Sequence, residues 1–206
     1  MDKKKWVACL FAFLALGYWG LNGISASGGK EATRQANSEA THEFKTIAAG
    51  MDLPQFTLDA PVSEVDQKYL GLSEREPFSL SQISARIFVI EIFSMYCPHC
   101  RKQGPILNKI YKFIQEDKVL KNGVKMLGIM AAGDQSKVDK WKTTLHVPFP
   151  IFPDLQTTIW QKFGKPGVPC TLIVNISGKV LEVHYGASED TEAFFRQIKK
   201  LYTEQK

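Results

Sequence analysis

Cysteine is scarce in this chain: four residues in 206, Cys9, Cys97, Cys100 and Cys170. Once Cys9 is assigned to an N-terminal export segment, three remain, so one pair leaves one thiol over. No apolar run reaches the roughly 20 residues that a comfortable membrane span requires. The run from Trp6 to Leu21 falls short of it. The net charge is +5, part of it from Lys3, Lys4 and Lys5, but no stripe of Lys and Arg with interleaved aromatics is present. That excludes nucleic acid as a partner. His42, His146 and His184 lack ligand spacing, so no metal centre is expected from the histidines. Repeats are absent as well, and the only biased stretch is short.

The N-terminus has the parts of an export signal. Three lysines precede the apolar run, and the small residues Ser25, Ala26 and Ser27 follow it. Residues 1–26 therefore act as a cleaved signal peptide or as an N-terminal membrane anchor. Residues 27–50 are rich in Ser, Gly, Ala, Thr, Glu and Lys, the composition of a tether. Residues 51–206 are long enough for one domain with its own core. An exported domain sits where disulfides persist, in a periplasmic or other extracytoplasmic compartment.

Within the domain, Pro54–Leu58 alternates like a short strand, and Tyr69–Leu70 lies in an ambiguous polar stretch that could hold another. Ile87 to Phe93 is a continuous β-branched and aromatic run, the pattern of a strand buried on both faces. Helical spacing runs from Pro98 to about Gln115, through Ile106, Leu107, Ile110, Phe113 and Ile114. Val124–Met130 predicts a second buried strand. Ser136 opens a helix to about His146, with Asp139 as its capping partner. Pro148–Phe152 is extended, and Thr157–Phe163 is a short helix stopped by Gly164. Thr171–Asn175 and Val180–Tyr185 form a hairpin, and Asp190–Tyr202 closes the domain as a helix. Strands alternating with helices and ending in a hairpin predict an α/β sandwich with a central mixed sheet flanked by helices. Trp141 and Trp160 are expected to pack rather than to bind substrate.

The chemistry concentrates at Cys97-Pro98-His99-Cys100, a C-x-x-C pair between a buried strand and an amphipathic helix. A cysteine at a helix N-terminus has its thiolate favoured by unpaired N–H groups and the helix dipole. Cys97 is then the attacking sulfur, and Cys100, one turn on, resolves the mixed disulfide. Pro98 suits the first helical position because its missing N–H is not needed there. His99 can place a hydrogen bond or a charge near the Cys97 sulfur. Both would stabilise the reduced form and make the disulfide more oxidising.

Glu91-Ile92-Phe93-Ser94-Met95-Tyr96-Cys97-Pro98-His99-Cys100 resembles the strand, turn and redox motif of the thioredoxin superfamily, and Gly167-Val168-Pro169-Cys170-Thr171 resembles its cis-proline turn. The dipeptide between the cysteines is similar to that of DsbA-like oxidants. Leu53–Leu58 resembles the first strand of exported TlpA/ResA-like and peroxiredoxin-like proteins. Cys100 and Pro169 are 69 positions apart, too few for a DsbA-type helical insertion and enough for one extra strand–helix unit. The scaffold is thus similar to the TlpA/ResA-like branch. The resemblance implies a thioredoxin-like three-layer sandwich and an enzyme that exchanges disulfides with client proteins. It needs no dissociable cofactor beyond the redox-active Cys97–Cys100 disulfide, and a membrane redox partner turns it over.

It also implies site residues. Glu91 stands in an apolar strand, where a carboxylate is costly unless paired or protonated. The resemblance makes it the proton acceptor for Cys100. Val168 and Pro169 would dock an extended client segment. Cys170 departs from the pattern: it is a buried small residue, a third reactive thiol, or a ligand with Cys97 and Cys100 in a metal-binding module. A thiol peroxidase is a further alternative, since Ser94 lies three residues before Cys97, although Ile90 stands where that motif has proline. The direction of electron flow stays open, with the dipeptide favouring an oxidant and the scaffold a reductant.

Overall fold

The structure, a computed structural model, describes residues 45–205. The export segment or anchor, and most of the expected tether, lie outside the described residues. No helix among the described residues is long and apolar enough to cross a membrane.

Strand β1 (Ile87–Phe93) is buried along its whole length and forms the middle of a five-stranded sheet. On one side it pairs in parallel with β2 (Val124–Ala131), which pairs in parallel with β3 (Ile151–Asp154). On the other side it runs antiparallel to β4 (Cys170–Asn175), which forms a hairpin with β5 (Val180–Tyr185). The order is β3-β2-β1-β4-β5. Parallel neighbours require crossovers, supplied here by helices. The helices are α1 (Glu64–Leu70), α2 (Pro98–Glu116), α3 (Leu120–Gly123), α4 (Gln135–Leu145), α5 (Thr158–Lys162) and α6 (Thr191–Glu204), of which α2 and α3 cross from β1 to β2 and α4 from β2 to β3.

Successive side chains of a strand point to opposite faces, so β1 feeds two cores. Ile87, Val89 and Phe93 join Leu107, Ile110, Val138, Trp141, Phe194 and Ile198 of α2, α4 and α6. Phe88, Ile90 and Ile92 join Phe56, Leu58, Leu70, Ile159 and Phe163 on the other side. The three-layer α/β sandwich follows from this division. Helix α2 lies very close to α4 at Gly104, where a Cβ would stand 2.9 Å from Leu145 Cδ1. Its buried stripe is Cys100, Gln103, Gly104, Leu107, Ile110 and Ile114.

Several local expectations are corrected. The stretch around Tyr69–Leu70 is helix α1, because Ser63 Oγ caps it by accepting from Asp66 N–H at 3.0 Å and Gly71 ends it at φ 72°. Pro54–Leu58 buries Phe56 and Leu58 but bridges only Phe78, so it joins no sheet. Helix α4 is capped by Asp134, which accepts from Lys137 N–H, while Asp139 accepts from the Gln135 side chain. Residues 45–50 pack on the domain instead of extending the tether. Ile47 is buried, its N–H donates to Phe163 O at 2.9 Å, and its carbonyl accepts from Tyr185 Oη at 3.0 Å. Trp141 packs on Phe93, and Trp160 Nε1 donates to Pro166 O, both as packing residues. His146 ends α4 in a left-handed conformation and His184 stacks on Phe194, while His42 lies outside the described residues.

Candidate active site

The turn after β1 delivers Cys97 to the N-cap of α2, with Pro98 in the first turn. Its Sγ takes the place of a capping oxygen. It accepts from the Cys100 N–H at 3.2 Å, meeting one of the donors a helix start leaves unpaired. The Cys97 thiol in turn donates to the Val168 carbonyl at 3.5 Å. Cys97 is half-buried and Cys100 fully buried. Burial pushes the Cys100 thiol far up from its ordinary range, and neighbouring Cys97 and Glu91 add to the shift. One sulfur is thus reachable and the other is an inward-facing acid. Pro98 and His99 are exposed. His99 has no hydrogen-bond partner among the described residues, so the expected bond to the Cys97 sulfur is not formed, and the Cys100 amide occupies that place.

Glu91 projects from β1 into the same layer as Cys100, and the two line one small cavity of about 10 Å³ with Gly104, Trp141, Phe149 and Ile151. That space is close to the size of one water molecule. The carboxyl is only 5% exposed, and burial raises it from 4.5 to about 8, against a lowering hydrogen bond from Thr171. Thr171 faces Glu91 in the β1–β4 register, and its Oγ1 donates to Glu91 Oε2. Behind it Gln103 Nε2 approaches Thr171 Oγ1 at 3.5 Å, and Gln103 Oε1 accepts from Ser188 N–H at 2.8 Å.

The turn before β4 holds Val168 and Pro169 against the active sulfur, with a cis peptide bond between them. Val168 lies ahead of the first β4 residue and carries the carbonyl that meets Cys97. Cys170 is next in sequence yet belongs to the opposite core with Leu172 and Val174. Burial pushes its thiol up to about 12. The sheet therefore separates Cys170 from the Cys97–Cys100 pair. Among the described residues no group of three His, Cys, Asp or Glu could hold a metal, and a three-sulfur ligand set does not form. Ser94 contacts the motif through its carbonyl, which accepts from Cys97 N–H at 3.2 Å.

The Redoxin family matches residues 48–200. The chain belongs to the Redoxin family. Curated relatives of this Redoxin include the thiol-disulfide oxidoreductase ResA of Geobacillus thermodenitrificans, 24% identical over 76% of this chain and 82% of the relative. They also include the thiol:disulfide interchange protein DsbE of Yersinia pestis, 23% identical over 82% of this chain and 81% of the relative. Among solved structures, the thioredoxin domain of a Bacteroides vulgatus thiol-disulfide oxidoreductase superposes with a TM-score of 0.58 at 14% identity. It covers 76% of this chain and 99% of that one, and confirms the thioredoxin-like fold. This Redoxin is a thiol–disulfide oxidoreductase of the TlpA/ResA-like kind.

Sequence reasoning missed Gln103 and Thr171, both wholly buried. A signal for Gln103 was present: it lies three residues after Cys100 and four before Leu107, on the apolar stripe of α2, where a polar residue needs a partner. Tyr96, 75% exposed beside Cys97, also went unnoticed. An aromatic next to a cysteine motif carries no spacing to mark it.

Proposed function

We propose that this Redoxin is an exported reductant of client disulfides, with Cys97 as nucleophile, Cys100 as resolving thiol and Glu91 as proton acceptor. One observation carries the reading: a reachable sulfur caps a helix while its partner thiol is buried against a carboxyl. The Cys97 thiolate attacks one client sulfur, a Cys97–client bond forms, and the other client sulfur leaves as a thiolate and takes a proton from water. Cys100 then gives its proton to Glu91 and attacks Cys97 Sγ. The mixed disulfide breaks, the second client sulfur leaves, and Cys97–Cys100 becomes the disulfide. The client has gained two electrons and two protons. A membrane redox partner supplies two electrons and two protons to reduce the Cys97–Cys100 disulfide again, and no dissociable cofactor takes part.

The client segment lies against Val168 and Pro169 beside the reacting sulfur; the Pro169 carbonyl is taken by the Gly186 N–H at 2.9 Å, which leaves the Val168 backbone as the edge for the client. Export, by a cleaved signal or an anchor, places the enzyme in an oxidising compartment where such reduction is needed. The reductive direction is supported by the surroundings of Cys97: the imidazole of His99 makes no bond to the sulfur. A redox titration of the Cys97–Cys100 pair in glutathione buffers tests it. The expected potential is near about −270 mV or below, and a value near about −120 mV would show an oxidant.

A further inference from the structure

A buried chain of hydrogen bonds ends on Glu91. It starts at the Ser188 N–H, which donates to Gln103 Oε1 at 2.8 Å. A backbone N–H can only donate, so it fixes which end of the Gln103 amide faces it. The Nε2 end is then turned to Thr171 Oγ1 at 3.5 Å, where it too can only donate. The single hydroxyl proton of Thr171 is left for Glu91 Oε2. Donors therefore run in one direction, from a fixed main-chain group to the carboxylate. Gln103 and Thr171 are wholly buried. A buried polar side chain costs free energy unless it is bonded. An apolar residue would fill either place, since Thr171 sits among the otherwise apolar buried positions of β4 and Gln103 on the buried stripe of α2.

We propose that Thr171 and Gln103 are positioning residues of the exchange reaction, which ease ionisation of the Glu91 carboxylate and orient it to take the Cys100 proton. The proposal rests on the reading of Glu91 as that acceptor. Thr171 engages Oε2, and Oε1 has no hydrogen-bond partner among the described residues, which leaves it for the incoming proton. Burial raises the carboxyl to about 8, and the Thr171 hydrogen bond works against that rise. Cys100 from α2 is the titratable group sharing the Glu91 cavity, whose α4 and β3 walls are the apolar Trp141 and Ile151. Glu91 raises the Cys170 thiol from across the sheet, and β5 sets His184 opposite Thr171. Neither supplies a hydrogen bond to the carboxylate.

The test isolates the resolving step. Thionitrobenzoate is placed on Cys97 as a mixed disulfide, and its release by Cys100 is followed by stopped-flow absorbance across pH. The Cys100 proton goes to Glu91, the Cys100–Cys97 bond forms, and the thionitrobenzoate thiolate leaves. The parent rate rises through one midpoint as Glu91 ionises, and Glu91→Gln removes that limb. Thr171→Val moves the midpoint up by about one pH unit, a roughly tenfold loss of rate near neutrality. Thr171→Ser restores it, and Gln103→Met moves it the same way by less. An unmoved midpoint in Thr171→Val, with the limb still lost in Glu91→Gln, overturns the proposal. Should Thr171→Val fail to fold, an unmoved midpoint in Gln103→Met does so instead. A limb that survives Glu91→Gln overturns the reading of Glu91 itself.

Discussion

Two cysteines of this domain, Cys100 and Cys170, are equally deep in the protein and have opposite surroundings. Cys100, 1% exposed, shares a cavity with a carboxyl and lies one helical turn from a reachable sulfur. Cys170, 0% exposed, sits among Leu172, Val174, Phe56 and Phe163 on the far side of the sheet. Both thiols are pushed up by burial. What separates them is a carboxyl in a shared cavity and a second sulfur one turn away, which Cys100 has and Cys170 lacks. Depth alone makes a cysteine inert. On the proposed mechanism, the buried Cys100 thiol reacts because the fold brings it a base.

Removing the reachable sulfur should sharpen this contrast most. Cys97→Ser is expected to abolish insulin reduction, with any residual rate at background. Activity retained in that variant would mean that another thiol is the nucleophile and that the two cores are not chemically distinct.

Glu91→Gln should act next most strongly. The release of a mixed disulfide near neutral pH should slow by about 100-fold, the usual worth of a placed acid–base group, while formation of that disulfide at Cys97 is unchanged. Stability gives a second readout of the same carboxyl. It is raised from 4.5 to about 8 in the folded protein, so between those values the folded state holds a proton that the unfolded state has lost. Folding is then weakened as pH rises through that window, by a few kcal/mol. Denaturation midpoints of the parent should fall from pH 4.5 to 8, and those of Glu91→Gln should fall less. Parallel curves would place the carboxyl in an ordinary environment.

The smallest effect belongs to the far core. Cys170→Ala should leave exchange within about twofold and cost about 1 kcal/mol in urea denaturation, as a buried side chain reduced by one heavy atom. A large loss of exchange with intact stability would break the comparison, because Cys170 would then act across the sheet.

How much of this was visible in the sequence depends on the distance over which each feature is specified. Strand β1 and helix α2 were legible almost to the residue, because a continuous apolar run and a helical stripe are local patterns. The pair of thiols was legible for the same reason. Helix α1 was missed because its caps, Ser63 and Gly71, are single residues around a polar stretch with one buried position, Leu70. The Glu91–Thr171 and Gln103–Ser188 contacts span 80 and 85 positions. Such contacts exist only once β1, β4 and α2 are assembled. The placement of Cys170 needed the same step. Its face follows from the register of β4 against β1, where Thr171 meets Glu91 and Cys170 meets Ile92, and a strand read alone has no face labelled inward.

The hydrogen bond between the Cys97 thiol and the Val168 carbonyl has a consequence for timing. Its donor is the proton that leaves when the sulfur becomes a nucleophile. Once Cys97 is a thiolate or is joined to a client, it can no longer occupy that carbonyl. The acceptor is vacated beside the new covalent bond, where a client main-chain N–H can take it up. With the client docked at Val168 as proposed, the docking edge is shuttered at rest and opened by the same deprotonation that arms the sulfur. On that proposal grip and reactivity are released together, and the return of the proton to Cys97 closes both.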